Sequence, residues 1–318
     1  MKILANDGIA PDGKAALEKA GFEVITEKVP QDKLHEVIGS YDVLVVRSAT
    51  KVNKQVMASP GNLKLVVRAG VGLDNVDAAF AKEKGIDVAN TPNSSTLSVA
   101  ELVFAHLSGA VRFLYDANRQ MPVNGKKDFN TLKKKYSEGR ELRGKTLGIL
   151  GFGRIGQEVG KIAISLGMKV IAYDPFVKSV KLVFSHLPFS PSPTLEITTG
   201  TFEEVLADSD FITLHLPHTA GEPPLIGEEE INRMKNKAGI VNAARGGVID
   251  EAALIKALES GKISFAALDV FENEPDVNED LLKAANISLS PHIAASTVEG
   301  QERIGLEVAK VIIERMKN

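Results

Sequence analysis

The segment Gly151-Phe152-Gly153-Arg154-Ile155-Gly156 sets three glycines at the spacing G-x-G-x-x-G. A bare match of this kind is weak, but here a strand-like apolar run, Thr146–Leu150, precedes it and an amphipathic stretch, 154–166, follows. A second strand-like run, Lys169–Tyr173, leads into Asp174, which lies 174 − 156 = 18 residues beyond the last glycine. In such a turn Gly151 permits the tight bend, Gly153 lets the backbone approach a pyrophosphate, and Gly156 lets helix and strand pack closely. The helix start offers free N–H groups and partial positive charge to the same anion. A carboxylate at 174 accepts from a ribose 2′-hydroxyl and repels a 2′-phosphate, so the expected dinucleotide is NAD rather than NADP.

Three later segments place polar residues just past apolar runs. IVNAARG (240–246) delivers Arg245, LDVFENEP (268–275) delivers Asp269 and Glu274, and PHIA (291–294) delivers His292. Oxidation of a secondary alcohol needs a base for the hydroxyl proton while hydride leaves carbon. His292 suits that task, because free histidine titrates near pH 6.5. Glu274 as a neighbour favours the imidazolium and fixes the ring. Arg245 supplies a permanent planar cation for a substrate carboxylate and for the oxygen on which charge accumulates. Taken singly, each has a plainer reading: a surface histidine, a salt-bridged arginine, a turn glutamate. Their order downstream of a dinucleotide motif is what favours catalysis.

These residues require strands ending beneath them. Runs at 2–6, 22–26, 42–46 and 63–68 read as buried parallel strands of one βα series ending near Thr91-Pro92. Runs at 146–150, 169–173, 211–214, 239–242 and 265–268, with a short one at 286–289, form a second series. The expected fold class is α/β, with two doubly wound parallel-sheet domains. A nucleotide-binding Rossmann domain (95–290) is inserted in a flavodoxin-like substrate domain (1–94 and 291–318). Residues 95–120 are expected to form one long crossing helix, and the lysine-rich 121–143 a solvated surface segment. Prolines at 188, 191 and 193 mark 177–200 as a surface insertion, with 195–199 a possible hairpin strand.

Bulk properties narrow the class. A net charge of −3 offers nothing to nucleic acid or an anionic membrane, so no such partner is expected and an anionic substrate needs a local basic cluster. With no cysteine, disulfides, thiolate catalysis and zinc–thiolate sites are excluded, and no metal is expected. The chain shows neither a leader-like apolar stretch nor a run of about 18 apolar residues, so a cytoplasmic enzyme is expected.

Over nearly its whole length the sequence resembles the D-2-hydroxyacid dehydrogenase family. The resemblance is carried by RAGVGLDNVD (68–77), GFGRIG (151–156), NAARGGVIDE (242–251), LDVFENEP (268–275) and PHIAAST (291–297). It implies the catalytic roles already given to Arg245, Glu274 and His292. It further implies that Arg154 and Ile155 touch the pyrophosphate and that Asp269 holds the nicotinamide amide. His215 and Pro217 would border the adenine, and Ala243 and Ala294 the cofactor. The backbone of Arg68, Ala69, Gly70, Val71 and Gly72 would hold the substrate carboxylate. Ala294 departs from the glycine common in the family, a methyl expected near the nicotinamide and tolerated there. Through VRSATKV (46–52) the chain is most similar to the phosphoglycerate-oxidising branch, where Arg47 with Ser48 would take a phosphate.

That branch implies NAD-dependent oxidation of 3-phospho-D-glycerate to 3-phosphohydroxypyruvate, the first step of phosphorylated serine synthesis, by a homodimer or homotetramer. Hinge closure is expected to bring Arg47 and residues 68–72 against the cofactor. Because the sequence ends right after a helix at 300–317, no serine feedback through a further domain is expected. Rival readings are a glyoxylate or hydroxypyruvate reductase of the same family and a non-enzymatic NAD-sensing co-repressor. The remaining histidines have lesser expected roles: His106 packed in the long helix, His35 and His186 at the surface, His215 and His218 making backbone contacts.

Overall fold

The structure is a computed structural model and describes residues 1–185, 187–219 and 221–317. The described residues form thirteen strands: β1 (Lys2–Ala5), β2 (Glu23–Ile25), β3 (Val43–Val46), β4 (Leu65–Arg68), β5 (Asp87–Asn90), β6 (Thr146–Leu150), β7 (Lys169–Tyr173), β8 (Ser179–Val183), β9 (Thr194–Thr198), β10 (Phe211–Leu214), β11 (Ala238–Asn242), β12 (Ile263–Leu268) and β13 (Ile287–Leu289). The chain divides into two units, Met1–Ser98 with Ala295–Asn318, and Val99–Ala294. The sequence places these divisions at 94 and 290; the structure has them at 98 and 294.

The first unit holds a parallel sheet of order β2-β1-β3-β4-β5. Successive residues along its strands serve two cores, which is why the runs are continuously apolar. Ile3, Val43, Val45 and Val67 pack with Ile304, Val308 and Ile312 of the C-terminal helix Val298–Lys317, whereas Leu4, Leu44, Val46 and Val66 pack with Leu34, Ile38 and Met57. Strand order reverses between β1 and β3, so ligand-binding loops are expected at their carboxyl ends.

The second unit holds a parallel sheet of order β13-β12-β11-β10-β6-β7. Its order reverses between β6 and β10, and Gly151 follows β6 at that point. The insertion at 177–200 is an antiparallel hairpin, β8 against β9.

Two expectations change. Strand β5 is absent from the sequence reading, since DVAN carries little apolar signal. The single helix over 95–120 is two, Thr96–Val111 and Leu114–Lys135, bent by 58°. The break is at Phe113, whose φ of 56° puts it in the left-handed region that ends a helix. The lysine-rich segment is largely exposed, as expected, and is helical through Pro122 and, beyond a kink at Asp128 (φ −120°, ψ 24°), on to Lys135. Among the described residues no single helix is long and apolar enough to cross a membrane.

Candidate active site

The glycine turn meets its steric requirements. Gly151 has φ +100°, and a Cβ there would lie 2.6 Å from the His215 carbonyl carbon. A Cβ on Gly156 would press into the Gly151 carbonyl oxygen. Both are glycine for packing. Gly153 differs, because a Cβ there meets nothing within 4 Å. It caps the helix Arg154–Ser165 with an ordinary extended conformation (φ −72°, ψ −161°), so the fold itself does not demand glycine. The open space above it is what a pyrophosphate against the helix N-terminus needs, and the residues therefore fit a dinucleotide. Gly153→Ala is expected to unfold at the wild-type temperature yet bind NADH roughly tenfold or more weakly, the added methyl displacing the pyrophosphate. Thermal unfolding and NADH titration read the two halves, and unchanged affinity would remove the pyrophosphate from this turn.

Asp174 is 8% exposed and accepts from Phe152 N (2.8 Å) through Oδ2 and from Phe176 N (2.9 Å) and Val177 N (3.0 Å) through Oδ1. The carboxylate thus ties the glycine turn to the end of β7. His215 donates its backbone N–H to Leu150 O, and its Nε2 lies 3.0 Å from Thr213 Oγ1. Burial pushes its pKa down to about 3, so it is neutral and unsuited to proton transfer. Arg154 is exposed, Ile155 half-buried and Pro217 exposed.

Past β11 the chain folds back sharply. Asn242 accepts from Ala244 N (3.0 Å) and donates to Arg245 O (2.8 Å), a side-chain-closed turn that sets Arg245 at the sheet edge. Next to it, Gly246 approaches the following loop so closely that a Cβ would overlap the Phe271 carbonyl. That loop carries Glu274, whose Oε1 accepts from Phe271 N (2.9 Å) and whose Oε2 lies 2.7 Å from His292 Nδ1. A carboxylate only accepts, so Nδ1 carries the proton facing Glu274 and Nε2 is left for chemistry. His292 has φ +54°. The left-handed backbone is held by Asp269: its carbonyl accepts from His292 N (2.8 Å), and its carboxylate from Ile293 N (2.9 Å) and Ala294 N (2.8 Å). Ala243 and Ala294 are both buried.

In the first unit Arg47, half-buried, and Ser48, exposed, follow β3. They line a crevice of about 350 Å³ with Asn6, Asp7, Gly8, Thr26, Lys28 and Ala49. Asp7 accepts from Arg47 N (2.8 Å), Thr50 N (3.0 Å) and Thr50 Oγ1 (2.7 Å), and Asn75 donates to Arg47 O (2.7 Å) and Thr50 O (2.6 Å). Asn6 bonds Val29 through both N–H and C=O and donates to Thr50 Oγ1, joining the loop after β2 to the loop after β3. Arg68 closes β4, and its guanidinium folds over Gly70 (φ +145°). Gly70 O accepts from Thr91 N (3.0 Å) and Val71 O from Asn90 Nδ2 (2.5 Å), which fix the turn containing Ala69, Val71 and Gly72.

Sequence reasoning missed Lys28 and the loop-holding Asn6, Asp7, Asn75 and Asn242. Of these only Asn242 had a local signal, an asparagine two residues before the N–H it caps. His35, expected at the surface, is half-buried with its Nδ1 buried and, among the described residues, without a hydrogen-bond partner; His186 lies outside the described residues.

Residues 104–294 match the family described as D-isomer specific 2-hydroxyacid dehydrogenase, NAD binding domain. The chain is 42% identical to a hydroxypyruvate reductase of Thermotoga maritima, the match covering 99% of this chain and 98% of that protein. It is 40% identical to a D-3-phosphoglycerate dehydrogenase of Archaeoglobus fulgidus over 100% of this chain but 58% of that protein, so it spans little over half of that relative. The NAD-bound 3-phosphoglycerate dehydrogenase of Entamoeba histolytica superposes with a TM-score of 0.78 at 28% identity, covering 100% of this chain and 96% of that one. The glycine turn, the acid after β7 and the paired histidine and glutamate thus belong to a member of the D-isomer specific 2-hydroxyacid dehydrogenases, an NAD-dependent oxidoreductase.

Proposed function

We propose that the chain oxidises the C2 hydroxyl of 3-phospho-D-glycerate to the 2-oxo acid. NAD, when bound, supplies the acceptor for the C2 hydride. His292 Nε2 takes the hydroxyl proton, and in the reverse direction returns it. Glu274 holds the ring by Nδ1 and offsets the imidazolium charge. Arg245 offsets the negative charge that develops on the C2 oxygen. The turn at 68–72 offers backbone N–H groups to the substrate carboxylate.

The observation that supports a phosphorylated substrate is the crevice at the β1/β3 switch point. Arg47 and Lys28 line it from two separate loops, together with Ser48 and Thr26. Two cations and two hydroxyls suit a dianion, and Arg47 suits it bidentately. Asp7 also lines the crevice, its carboxylate tied to Arg47 N, Thr50 N and Thr50 Oγ1, so the two cations must outweigh one negative charge.

A second reading, hydroxypyruvate reduction with NADH, is favoured by the Thermotoga maritima relative, which this chain matches over 98% of its length. One assay separates them: NAD reduction with 3-phospho-D-glycerate, the product trapped with hydrazine, beside NADH oxidation with hydroxypyruvate. Arg47→Ala is expected to lower kcat/KM for phosphoglycerate by about tenfold to a hundredfold, the range of a charge-assisted contact, and to leave hydroxypyruvate nearly unaffected. Lys28→Ala should act in the same direction with a smaller effect. Wild-type enzyme that ignores phosphoglycerate but reduces hydroxypyruvate, equally with and without Arg47, would establish the second reading.

A further inference from the structure

His106 lies on the helix Thr96–Val111 and is 7% exposed, yet both ring nitrogens are engaged. Nδ1 is 2.9 Å from Ser288 Oγ and Nε2 is 2.8 Å from Ser290 Oγ. Ser290 Oγ in turn lies 2.6 Å from Asp269 Oδ1. The direction of each bond follows from the carboxylate end. An ionised carboxylate has no hydrogen to give, so the Ser290 hydroxyl donates to Asp269. Its oxygen is then free to accept, and His106 Nε2–H donates to it. Nδ1 is left as an acceptor for the Ser288 hydroxyl. A neutral ring with one donor and one acceptor suits this pair of serines. Burial keeps His106 below the ordinary histidine range, the nearby Asp269 charge only partly opposing it.

Asp269 is fully buried and is the hub of the loop that carries His292. Its carboxylate accepts from Ser290 Oγ, Ile293 N and Ala294 N, and its carbonyl from His292 N. These bonds hold a left-handed backbone, at φ +54°, that is uncommon for residues other than glycine. We propose that His106 is a positioning residue of the active site: through Ser290 it orients the Asp269 carboxylate and so the backbone on which His292 stands. Nothing in the helix pattern around His106 announces this role, since an apolar neighbour at that position would pack equally well. The inference rests on His292 being the acid–base group.

The test is a pair of substitutions read separately and together on the substrate that the assay above shows to be turned over. Rates are expressed per active site, counted by NADH titration, so that a loss of folded protein does not register as a loss of turnover. His106→Leu keeps the volume and removes both polar contacts. It is expected to lower kcat on the order of tenfold with little change in the substrate KM, as a small misplacement of the catalytic group would. Ser290→Ala should give a similar loss. The double variant should fall no further than about twofold below the worse single one, because both cut one path. His106→Gln, which can donate to Ser290 and accept from Ser288, should recover to within about threefold of wild type. A merely structural histidine would lower the unfolding temperature but leave kcat per site unchanged. Wild-type kcat in His106→Leu, or losses in the two singles that multiply in the double, would overturn the proposal. If His106→Leu does not fold, Ser290→Ala against Ser290→Thr decides: the threonine hydroxyl must restore what alanine loses. His292→Ala in the same series separates the two readings, for if it retains activity the acid–base assignment fails before the relay is reached.

Discussion

Replacing His292 by asparagine is expected to reduce kcat by about 10²- to 10⁴-fold in both reaction directions, the range measured for loss of a general acid–base group. Asparagine is the informative choice because residue 292 has φ +54°, a conformation that asparagine tolerates better than most residues. The loop held by Asp269 through His292 N, Ile293 N and Ala294 N then keeps its bonds, since all of them are to backbone N–H groups. The loss can therefore be charged to the imidazole. With cofactor binding unchanged, kcat/KM must fall by the same factor in both directions, because an enzyme variant cannot move the overall equilibrium. Forward and reverse initial rates with the oxidised and reduced cofactor measure this. A loss below tenfold would mean that another group moves the proton. Glu274→Gln should be milder, about tenfold to a hundredfold. One amide can satisfy either Phe271 N or His292 Nδ1–H as an acceptor but turns its NH₂ toward the other, and the compensating charge is gone.

The division of labour in this site explains what the sequence could and could not reveal. Gly151, Gly153, Gly156, Asp174, Arg245, Glu274 and His292 lie at short distances from strand ends, so periodicity and spacing locate them. The residues that hold them in place act across long separations. Asn6 bonds Thr50, Asp7 bonds Arg47, Asn75 bonds Thr50, and His106 meets Ser288 and Ser290. Each such pair is specified by the strand order β2-β1-β3-β4-β5 or by the packing of a helix on β13, which no local pattern encodes. The same holds for the fold. Buried strands such as VLVV are legible because two apolar cores demand four apolar residues in succession. Strand β5, DVAN, gives no such run, and the helix break at Phe113 uses a left-handed residue without the glycine that normally marks one.

Arg245→Gln is expected to lower kcat/KM by about 10²- to 10³-fold, the range for removing a donor aimed at developing oxyanion charge. The turn loses the bond from the Arg245 guanidinium to Ala244 O (2.6 Å) but should survive, because Asn242 still closes it through Ala244 N and the Arg245 carbonyl, both backbone groups. Gly246, pressed against the Phe271 carbonyl, fixes the next residue independently of the side chain at 245. The variant should therefore bind NADH as wild type does and lose only turnover. Lysine is not a substitute: it carries the charge but not the planar fork, so Arg245→Lys should recover a minor part of the rate. If the guanidinium acts mainly on the substrate carboxylate in the ground state, KM rises and kcat holds. If it acts on the C2 oxygen as hydride leaves, kcat falls as well. The proposal requires the second pattern. Added guanidinium ion should then raise kcat of Arg245→Ala, since the truncated side chain leaves space for it beside the reacting oxygen. Arg245→Gln with kcat within tenfold of wild type would leave the charge on the C2 oxygen to be met by another residue.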